Sequence, residues 1–331
     1  MVNKKLDIII VGLGYWGKNF LRLVNNTDIF NLVAIVDPVI ENLETFVQKE
    51  VNLYKDIETC LGSEDNIDCA IVATNTSSHY KITKKLLNSN INVLVEKPLT
   101  TNLKEAIELF DIADDKSLEL MVDHTFLYDE GILSLRNLIN SGELGNLLHI
   151  SFERTNLGPV RNDTNAAWDL STHDLSILFT LTEENPVSIY SQGMSYLNEG
   201  IEDIINISIK FQELFVTIFS SWLHPEKSRI IKVVGEKKMA VWNNLLPDQE
   251  LKILDIGVEQ SQNEIDYAMN LYKVKSGDIT IPFINKKEPL KSVLEDFYSR
   301  AIGLNKITLN NKNLALKVIK TMEIINDNLE D

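Results

Sequence analysis

The sequence feature that most constrains the fold is a glycine-rich segment, Gly12-Leu-Gly-Tyr-Trp-Gly17, between two apolar runs. The first run, residues 8–11, has the composition of a buried parallel strand, and the residues after the last glycine have the apolar spacing of a helix. The second run, residues 32–36, ends at Asp37. This order of strand, glycine turn, helix, strand and acidic residue predicts a dinucleotide-binding βαβ unit.

Each glycine has a distinct role in such a unit. Gly12 permits the tight turn, Gly14 lets a pyrophosphate approach the backbone, and Gly17 lets the helix pack closely on the strand. Tyr15 and Trp16 open the helix, whose N-terminal N–H groups and partial positive charge suit a diphosphate. The alternative is an ordinary glycine-rich turn between a strand and a helix that binds no cofactor.

Asp37 indicates which dinucleotide is bound. It lies about 20 residues beyond the last glycine, where a carboxylate accepts hydrogen bonds from the adenosine ribose hydroxyls. A carboxylate at this place also repels the 2′-phosphate of NADP. The predicted cofactor is therefore NAD.

Composition excludes several classes of partner. The chain has 331 residues, 44% of them apolar and 24% charged, which is ordinary for a globular protein. We expect a cytoplasmic protein, because no apolar run is long enough to cross a bilayer and the start lacks the pattern of a signal peptide. The net charge of −16 argues against nucleic acid and anionic membranes. Cys60 and Cys69 are predicted to be reduced, and no cluster has metal-ligand spacing.

The pattern of elements changes near residue 122. Up to that point strands alternate with helices, one of them predicted over residues 39–50, which indicates a doubly wound parallel sheet. We therefore predict a Rossmann domain over residues 1–122. Beyond it, successive strands such as residues 206–211 alternate polar and apolar side chains, as in an antiparallel sheet with one solvated face. Residues 123–331 are predicted to form an α+β domain.

A first group of candidate active-site residues follows two predicted parallel strands. Glu96-Lys97-Pro98 ends one strand, and Thr74 and Asn75 end the preceding one. Ligands of open α/β sheets bind outside the carboxyl ends of the strands, so these residues are expected to border the nicotinamide half of the cofactor. Lys97 could stabilise negative charge on a reacting oxygen. The alternative is an exposed lysine before a proline turn.

A second group lies in the segment Trp168-Asp-Leu-Ser-Thr-His-Asp174. In a helix, Asp169 and His173 would lie one turn apart on the same face. Histidine titrates near neutral pH and can take a hydroxyl proton, while the carboxylate orients the ring. The alternative is that Asp169 caps the helix and His173 is a half-buried, hydrogen-bonded histidine.

Two arginines and three residues after the last parallel strand complete the candidates. Arg154 and Arg161 lie in a loop with glycine and proline, and arginine matches carboxylates and phosphates bidentately. Ordinary loop salt bridges are the alternative. His124, Phe126 and Tyr128 could line the cleft or serve only in packing between domains.

These motifs together resemble the Gfo/Idh/MocA oxidoreductases. The resemblance starts at the glycine-rich segment, includes Thr74-Asn75 with His79 and the Glu96-Lys97-Pro98 turn, and continues through the Asp169/His173 pair. It implies a Rossmann domain followed by a domain with a large, mostly antiparallel sheet. It also implies catalytic roles for Lys97 and His173 with assistance from Asp169, cofactor contacts that include His79, and a cis Lys97–Pro98 bond. Members of the family associate into dimers or tetramers through the open sheet face.

The sequence departs from the family pattern at two places. Many members have proline where this chain has Asn75, and many have aspartate where it has Ser176; Asp174 directly follows the histidine instead. The loop at residues 156–161 resembles the branch that oxidises C3 of UDP-N-acetylhexosamines, which implies substrate contacts from Tyr128, Arg154, Arg161 and Trp168.

The predicted function is an NAD-dependent dehydrogenase that oxidises a secondary sugar hydroxyl to a ketone, most specifically in a nucleotide sugar. An inositol 2-dehydrogenase or free-sugar dehydrogenase is the alternative among enzymes. A non-catalytic, dinucleotide-sensing regulator is the alternative from another class. The sequence leaves open the substrate, the physiological direction and the choice between dimer and tetramer.

Overall fold

The computed structural model describes residues 5–39, 51–260, 272–304 and 308–330. The chain divides into two compact units, Met1–Thr125 with Glu288–Glu323, and Phe126–Lys287 with Ile324–Asp331. The predicted second domain, residues 123–331, included residues 288–323, whereas these residues pack in the first unit. The helix predicted over residues 39–50 lies outside the described residues from residue 40 onward.

The first unit is built on a six-stranded sheet in which every pairing is parallel. Its order, β3-β2-β1-β4-β5-β6, confirms the doubly wound fold predicted from the sequence. The central strands are buried on both faces, which explains their uninterrupted apolar runs. The strands are β1 Leu6–Val11, β2 Phe30–Val36, β3 Asn52–Tyr54, β4 Cys69–Val72, β5 Asn92–Glu96 and β6 Leu120–Asp123.

Helices of the first unit bury one apolar face against this sheet. In the helix after the glycine turn the buried residues include Phe20, Leu21 and Val24, the face predicted from spacing. A helix near the C-terminus packs its Phe297 and Tyr298 rings on Phe30, with ring centroids 6.5 and 5.7 Å away. The helices are α1 Tyr15–Asn25, α2 Ile57–Ser63, α3 Thr76–Asn88, α4 Leu103–Asp115 and α7 Pro289–Ala301.

The second unit contains an eight-stranded sheet in the order β16-β13-β12-β11-β7-β10-β9-β8. All its pairings are antiparallel except that between β7 and β10, which confirms a large, mostly antiparallel sheet. Strand β9 buries Ile205, Ile207 and Ile209 and exposes Asn206 and Lys210, the alternation predicted for a sheet with one solvated face. The strands are β7 Leu147–Leu157, β8 Ser188–Met194, β9 Ile204–Lys210, β10 Phe215–Ser221, β11 Leu223–Gly235, β12 Met239–Asn243, β13 Leu251–Leu254 and β16 Ile279–Thr280.

The remaining elements complete both units. Among the described helices, none combines the length and apolar character needed to cross a membrane. The helices are α5 Glu130–Asn140, α6 Thr172–Leu181 and α8 Lys312–Glu330, with a 3₁₀ helix at Thr125–Tyr128 and a π-helix at Ala167–Ser171; a separate two-stranded sheet pairs β14 Gly257–Gln260 with β15 Tyr272–Lys275.

Candidate active site

The glycine turn has the geometry that a dinucleotide requires. Gly12 has a φ of +90°, and its N–H donates to the Val36 carbonyl at 2.8 Å. A Cβ on Gly17 would overlap the Gly12 carbonyl oxygen, so helix α1 can approach β1 only with glycine there. A Cβ on Gly14 would instead point into open space. The first turn of α1 has no capping side chain and no acidic residue, which leaves its N–H groups for a diphosphate.

Asp37 is held beside this turn. Its Oδ2 accepts from the Leu13 N–H at 2.8 Å, and its Oδ1 accepts from the Val39 N–H at 2.9 Å. A carboxylate has about four acceptor sites, so both oxygens can still accept from ribose hydroxyls. Tyr15 and Trp16 form an edge-to-face pair at the start of α1, with Tyr15 78% exposed. The predicted adenosine end of the site is therefore assembled within the first unit.

His79 connects the loops after β4 and β5. It is buried on α3, with Nδ1 2.8 Å from the Pro98 carbonyl oxygen and Nε2 3.0 Å from the Thr74 carbonyl oxygen. A neutral imidazole can donate to only one of these carbonyls. His79 thus ties together the two loops that were predicted to border nicotinamide, while Asn75 is exposed at the start of α3. Direct contact of Thr74, Asn75 and His79 with the cofactor stays a prediction.

Lys97 is buried at the carboxyl end of β5. It is only 7% exposed, so it is not the exposed lysine of the alternative interpretation. The Lys97–Pro98 bond is cis, as the resemblance implied. Glu96 before it and Asp123 at the end of β6 are register partners, and both are buried. His124 follows Asp123 and is also buried, which completes a polar cluster of four residues.

Burial determines the charges in this cluster. Burial raises the pKa of Glu96 well above its usual range, and the negative charge of Asp123 raises it further. Burial likewise raises the pKa of Asp123. Burial, assisted by the positive charge of Lys97, lowers the pKa of His124 to about 4, so His124 is neutral at pH 7.

Asp123 was not among the site residues predicted from the sequence, and His124 was predicted only to line the cleft or to pack between domains. Asp123 and His124 lie at the carboxyl end of β6, at the same edge of the sheet as Glu96 and Lys97, which is where ligands of open α/β sheets bind.

Several buried polar atoms of this cluster fit a bound cofactor. Glu96 Oε1, Asp123 Oδ2 and both ring nitrogens of His124 have no hydrogen-bond partner among the described residues. Buried polar groups are normally paired, so the two ring nitrogens of His124 indicate a polar ligand or water at this place. With the open glycine turn and Asp37, they make the first unit suitable for NAD, which Glu96 and Lys97 would approach at its nicotinamide end.

The second unit supplies the histidine and aspartate of the other predicted motif. Asp169 lies in the π-helix and His173 in the first turn of α6. The residue that caps this π-helix is Ala166, without a side-chain hydrogen bond, so the interpretation of Asp169 as a helix cap is wrong. Asp169 Oδ2 instead accepts from Trp222 Nε1 at 3.1 Å, and its Oδ1 lies 3.4 Å from Arg161 Nη1.

An aromatic ring adjoins His173. The ring of Phe126 meets the imidazole edge to face, with centroids 5.1 Å apart. The guanidinium carbon of Arg154 lies 4.5 Å from the Phe126 centroid, and that of Arg229 lies 5.9 Å from it. Two cations therefore lie close to the aromatic ring that His173 contacts.

Arg154 forms a buried ion pair. Its Nε and Nη2 donate to Asp174 Oδ1 at 3.0 and 2.7 Å, with both side chains buried. Burial raises the pKa of Asp174, although Arg154 opposes this shift. The pair joins β7 to α6 directly beside His173. Arg154 was predicted to bind substrate, whereas in the structure its guanidinium pairs with Asp174.

The other predicted substrate contacts differ in accessibility. Arg161 pairs with Asp163 at 2.7 Å and with Asp169, as the salt-bridge alternative proposed. Trp168 is buried in the π-helix, and Tyr128 is half-buried at the end of the 3₁₀ helix. Their contact with a substrate stays a prediction.

Replacing Asp174 with alanine is expected to destabilise the protein strongly. It would leave the buried Arg154 guanidinium without its counter-ion, which typically costs about 3–5 kcal/mol. Asp163→Ala is the matched control, because it removes the partly exposed partner of Arg161 and should cost less than about 1 kcal/mol. Denaturant unfolding measures both free energies, and equally small losses would contradict the importance of the buried pair.

Comparisons with known proteins agree with this architecture. Residues 6–124 match a family model described as oxidoreductase family, NAD-binding Rossmann fold, and residues 132–241 match the GFO/IDH/MocA C-terminal domain. Inositol 2-dehydrogenase of Salmonella typhimurium is 27% identical over 204 residues, which cover 59% of this chain and 60% of that protein. The match therefore spans less than two thirds of the length of this relative.

Solved structures share the fold across nearly the whole chain. UDP-N-acetylglucosamine 3-dehydrogenase GnnA from Acidithiobacillus ferrooxidans aligns with a TM-score of 0.77 and 18% identity, covering 99% of this chain and 98% of that one. GenD2 from gentamicin A biosynthesis, in complex with NAD, aligns with a TM-score of 0.81 and 17% identity, covering 99% and 95%. The two family models together span more than half of the chain, which belongs to the Gfo/Idh/MocA family of oxidoreductases with an NAD-binding Rossmann fold.

Proposed function

We propose that this protein is an NAD-dependent dehydrogenase that oxidises a secondary hydroxyl of a sugar to a ketone. The observation that carries the proposal is the burial of Lys97 at the carboxyl end of β5, in the unit that contains the glycine turn. A regulator that only senses the dinucleotide needs the glycine turn and Asp37 but not a buried lysine. Burying an ammonium costs free energy, and in a dehydrogenase a catalytic role of the lysine accounts for this cost.

Each proposed catalytic residue has one role. Bound NAD supplies the acceptor for the hydrogen that leaves the carbinol carbon. Lys97 donates a hydrogen bond to the reacting oxygen and stabilises its negative charge as the proton departs. His173 accepts the hydroxyl proton at a ring nitrogen, and Asp169, held by Trp222 Nε1, stabilises the charged imidazole. The buried pair of Arg154 and Asp174 fixes the helix that carries His173.

The proposed substrate class is a UDP-N-acetylhexosamine oxidised at C3. The resemblance of the loop at residues 156–161 supports it, and a dehydrogenase of this specificity has the same fold. Arg154 and Arg161 are weaker evidence for an anionic substrate than the sequence indicated, because each already pairs with an aspartate. Inositol is the second candidate, since inositol 2-dehydrogenase is a sequence relative.

A panel of substrates distinguishes these candidates. Purified protein with NAD is assayed by NADH absorbance against UDP-N-acetylhexosamines, free sugars and inositols. We expect the highest kcat/KM of the panel for a UDP-N-acetylhexosamine. Efficient oxidation of inositol alone would support the second candidate, and no turnover with any of them would favour a regulator.

Asp37 is expected to exclude NADP. Replacing it with asparagine retains an acceptor for the Leu13 N–H but removes the charge that repels the 2′-phosphate. The preference for NADH over NADPH should then fall by about 1–3 kcal/mol, the scale of a hydrogen bond to a charged group. Binding titrations monitored by the fluorescence of each reduced cofactor measure the preference. Asp28→Asn, at an exposed position, is the control; equal wild-type affinity for the two cofactors would contradict the role of Asp37.

We also propose a homodimer or homotetramer that forms through the open face of the second sheet. Phe215 and Tyr190 lie on this face and are 45% and 59% exposed. Burial of such side chains in an interface would remove apolar surface from water. Light scattering coupled to size-exclusion chromatography measures the assembly, and a monomer at micromolar concentration would contradict it.

A further inference from the structure

We propose that Asp123 is a positioning residue for Lys97: with Glu96 it forms a carboxyl pair that holds one proton and one negative charge, and this charge retains the Lys97 ammonium. The inference rests on the proposed function for its catalytic consequence. The carboxyl pair itself can be tested without turnover.

The two carboxyl groups occupy neighbouring positions in the sheet. Glu96 and Asp123 are register partners at the carboxyl ends of the neighbouring strands β5 and β6, and they are 6% and 1% exposed. Adjacent register partners place their side chains on the same side of a sheet. Two ionised carboxylates so placed, with little water, would repel each other strongly.

The two carboxyl groups have more acceptor oxygens than hydrogen-bond donors around them. Glu96 Oε2 accepts from the Lys97 N–H at 3.2 Å, and Asp123 Oδ1 accepts from Thr125 Oγ1 at 2.6 Å. The remaining oxygens, Glu96 Oε1 and Asp123 Oδ2, have no donor among the residues that the structure describes. A carboxylate is only an acceptor, whereas a protonated carboxyl group can donate. A single proton shared by the pair provides the donor that these oxygens lack.

The charges around the two carboxyl groups also favour one shared proton. Burial raises the pKa of both carboxyl groups, and the negative charge of Asp123 raises the pKa of Glu96 further. Lys97 acts on both as the opposing positive charge. His124 faces the same cluster and is neutral, and His79 of α3 contacts the turn through the Pro98 carbonyl. One anion therefore balances one ammonium.

A shared charge has a distinctive consequence for substitutions. In Asp123→Asn, Glu96 can ionise and supply the negative charge, and in Glu96→Gln, Asp123 still supplies it. The double variant has neither, so the buried ammonium loses its counter-charge and the neutral amine is favoured. The loss of kcat in the double variant should greatly exceed the product of the losses in the two single variants, because the two residues act as a unit.

Infrared difference spectroscopy tests the pair directly. The wild-type protein minus Asp123→Asn should show the carbonyl band of one protonated carboxylic acid at neutral pH, because the pair holds one proton in the wild type, whereas Glu96 alone is ionised in the variant. Asp28→Asn, at an exposed acid of the first unit, controls for unrelated bands. Absence of the band from the difference spectrum would overturn the proposal, whether or not the protein oxidises any sugar.

The pH profile of kcat tests the link to Lys97. With saturating substrate and NAD, each single variant should retain the wild-type decline of rate at high pH. In Glu96→Gln/Asp123→Asn the decline should begin about one pH unit lower, which is a tenfold change in the balance between ammonium and amine. The positioning role would be overturned if the double variant lowered kcat only by the product of the two single losses and its decline at high pH began where that of the wild type begins. This holds even for a destabilised double variant, because kcat is measured per folded molecule. If the wild type had no dehydrogenase activity, the proposed function would fail while the infrared result would still decide the pair.

Discussion

Lys97→Ala is expected to lower turnover by about a hundredfold or more while leaving NAD affinity and the fold largely intact. The ammonium is the proposed donor to the reacting oxygen, so its removal affects the reaction more than binding. The fold can tolerate the change, because the buried pair of Glu96 and Asp123 can take up a second proton when its counter-charge is removed.

Three measurements on the same preparation test this expectation: kcat with saturating substrate, the affinity for NADH and the melting temperature. Lys104→Ala removes an exposed lysine from the start of α4 and is the matched control. Near-normal turnover of Lys97→Ala on the true substrate would return Lys97 to a purely structural role.

His173→Asn is expected to lower turnover by about 10²–10⁴-fold, the usual contribution of general acid–base catalysis. As a base, His173 must lose its own proton before it accepts one from the substrate. The wild-type oxidation rate should therefore rise with pH around neutrality, where histidine titrates, and this rise should be absent from the variant. Asp169→Asn removes a charge that favours the imidazolium, so it should move the rise to lower pH and reduce the maximal rate.

The structural alternative for His173 predicts a different pattern. A histidine that only packs against Phe126 would destabilise the protein when replaced but leave activity per folded molecule unchanged. His149→Asn, on the open face of the second sheet, controls for the loss of a histidine elsewhere. Full specific activity in a destabilised His173→Asn would contradict the catalytic role.

The fold was predictable where one physical rule dominates. Strands β1 and β4 are buried on both faces, so their sequences are uninterrupted apolar runs, and strand β9 is buried on one face, so its residues alternate. The glycine turn was predictable because Gly12 and Gly17 each satisfy a steric condition that no other residue meets. Local chemistry thus determined both the parallel sheet and the cofactor turn.

Boundaries were less predictable where the partner is distant in sequence. Helix α7 was assigned to the second domain, but its Phe297 and Tyr298 pack on Phe30, more than 250 residues earlier. Strand β11 begins at Leu223 and includes Pro225, a residue that normally interrupts the sequence pattern of a strand. A register shift between Leu223 and Ser228 surrounds Pro225, which cannot donate to a ladder and conceals the continuity.

The site shows the same division. Lys97 and His173 were predicted as site residues from motifs, but the partners of charged residues depend on register and packing. The pairing of Arg154 with Asp174 joins two elements, and that of Glu96 with Asp123 depends on the alignment of β5 with β6. Neither alignment is encoded in local spacing, so Arg154 was interpreted as a substrate ligand and Asp123 was overlooked.

The most direct test of the proposed function follows the hydrogen atom on the oxidised carbon. A substrate identified from the panel is prepared with deuterium at that carbon and incubated with the enzyme and NAD. The proposed reaction transfers the deuterium to the reduced cofactor and forms one ketone for each NADH. Release of the deuterium to water, or loss of substrate without NADH, would contradict the assignment as a dehydrogenase.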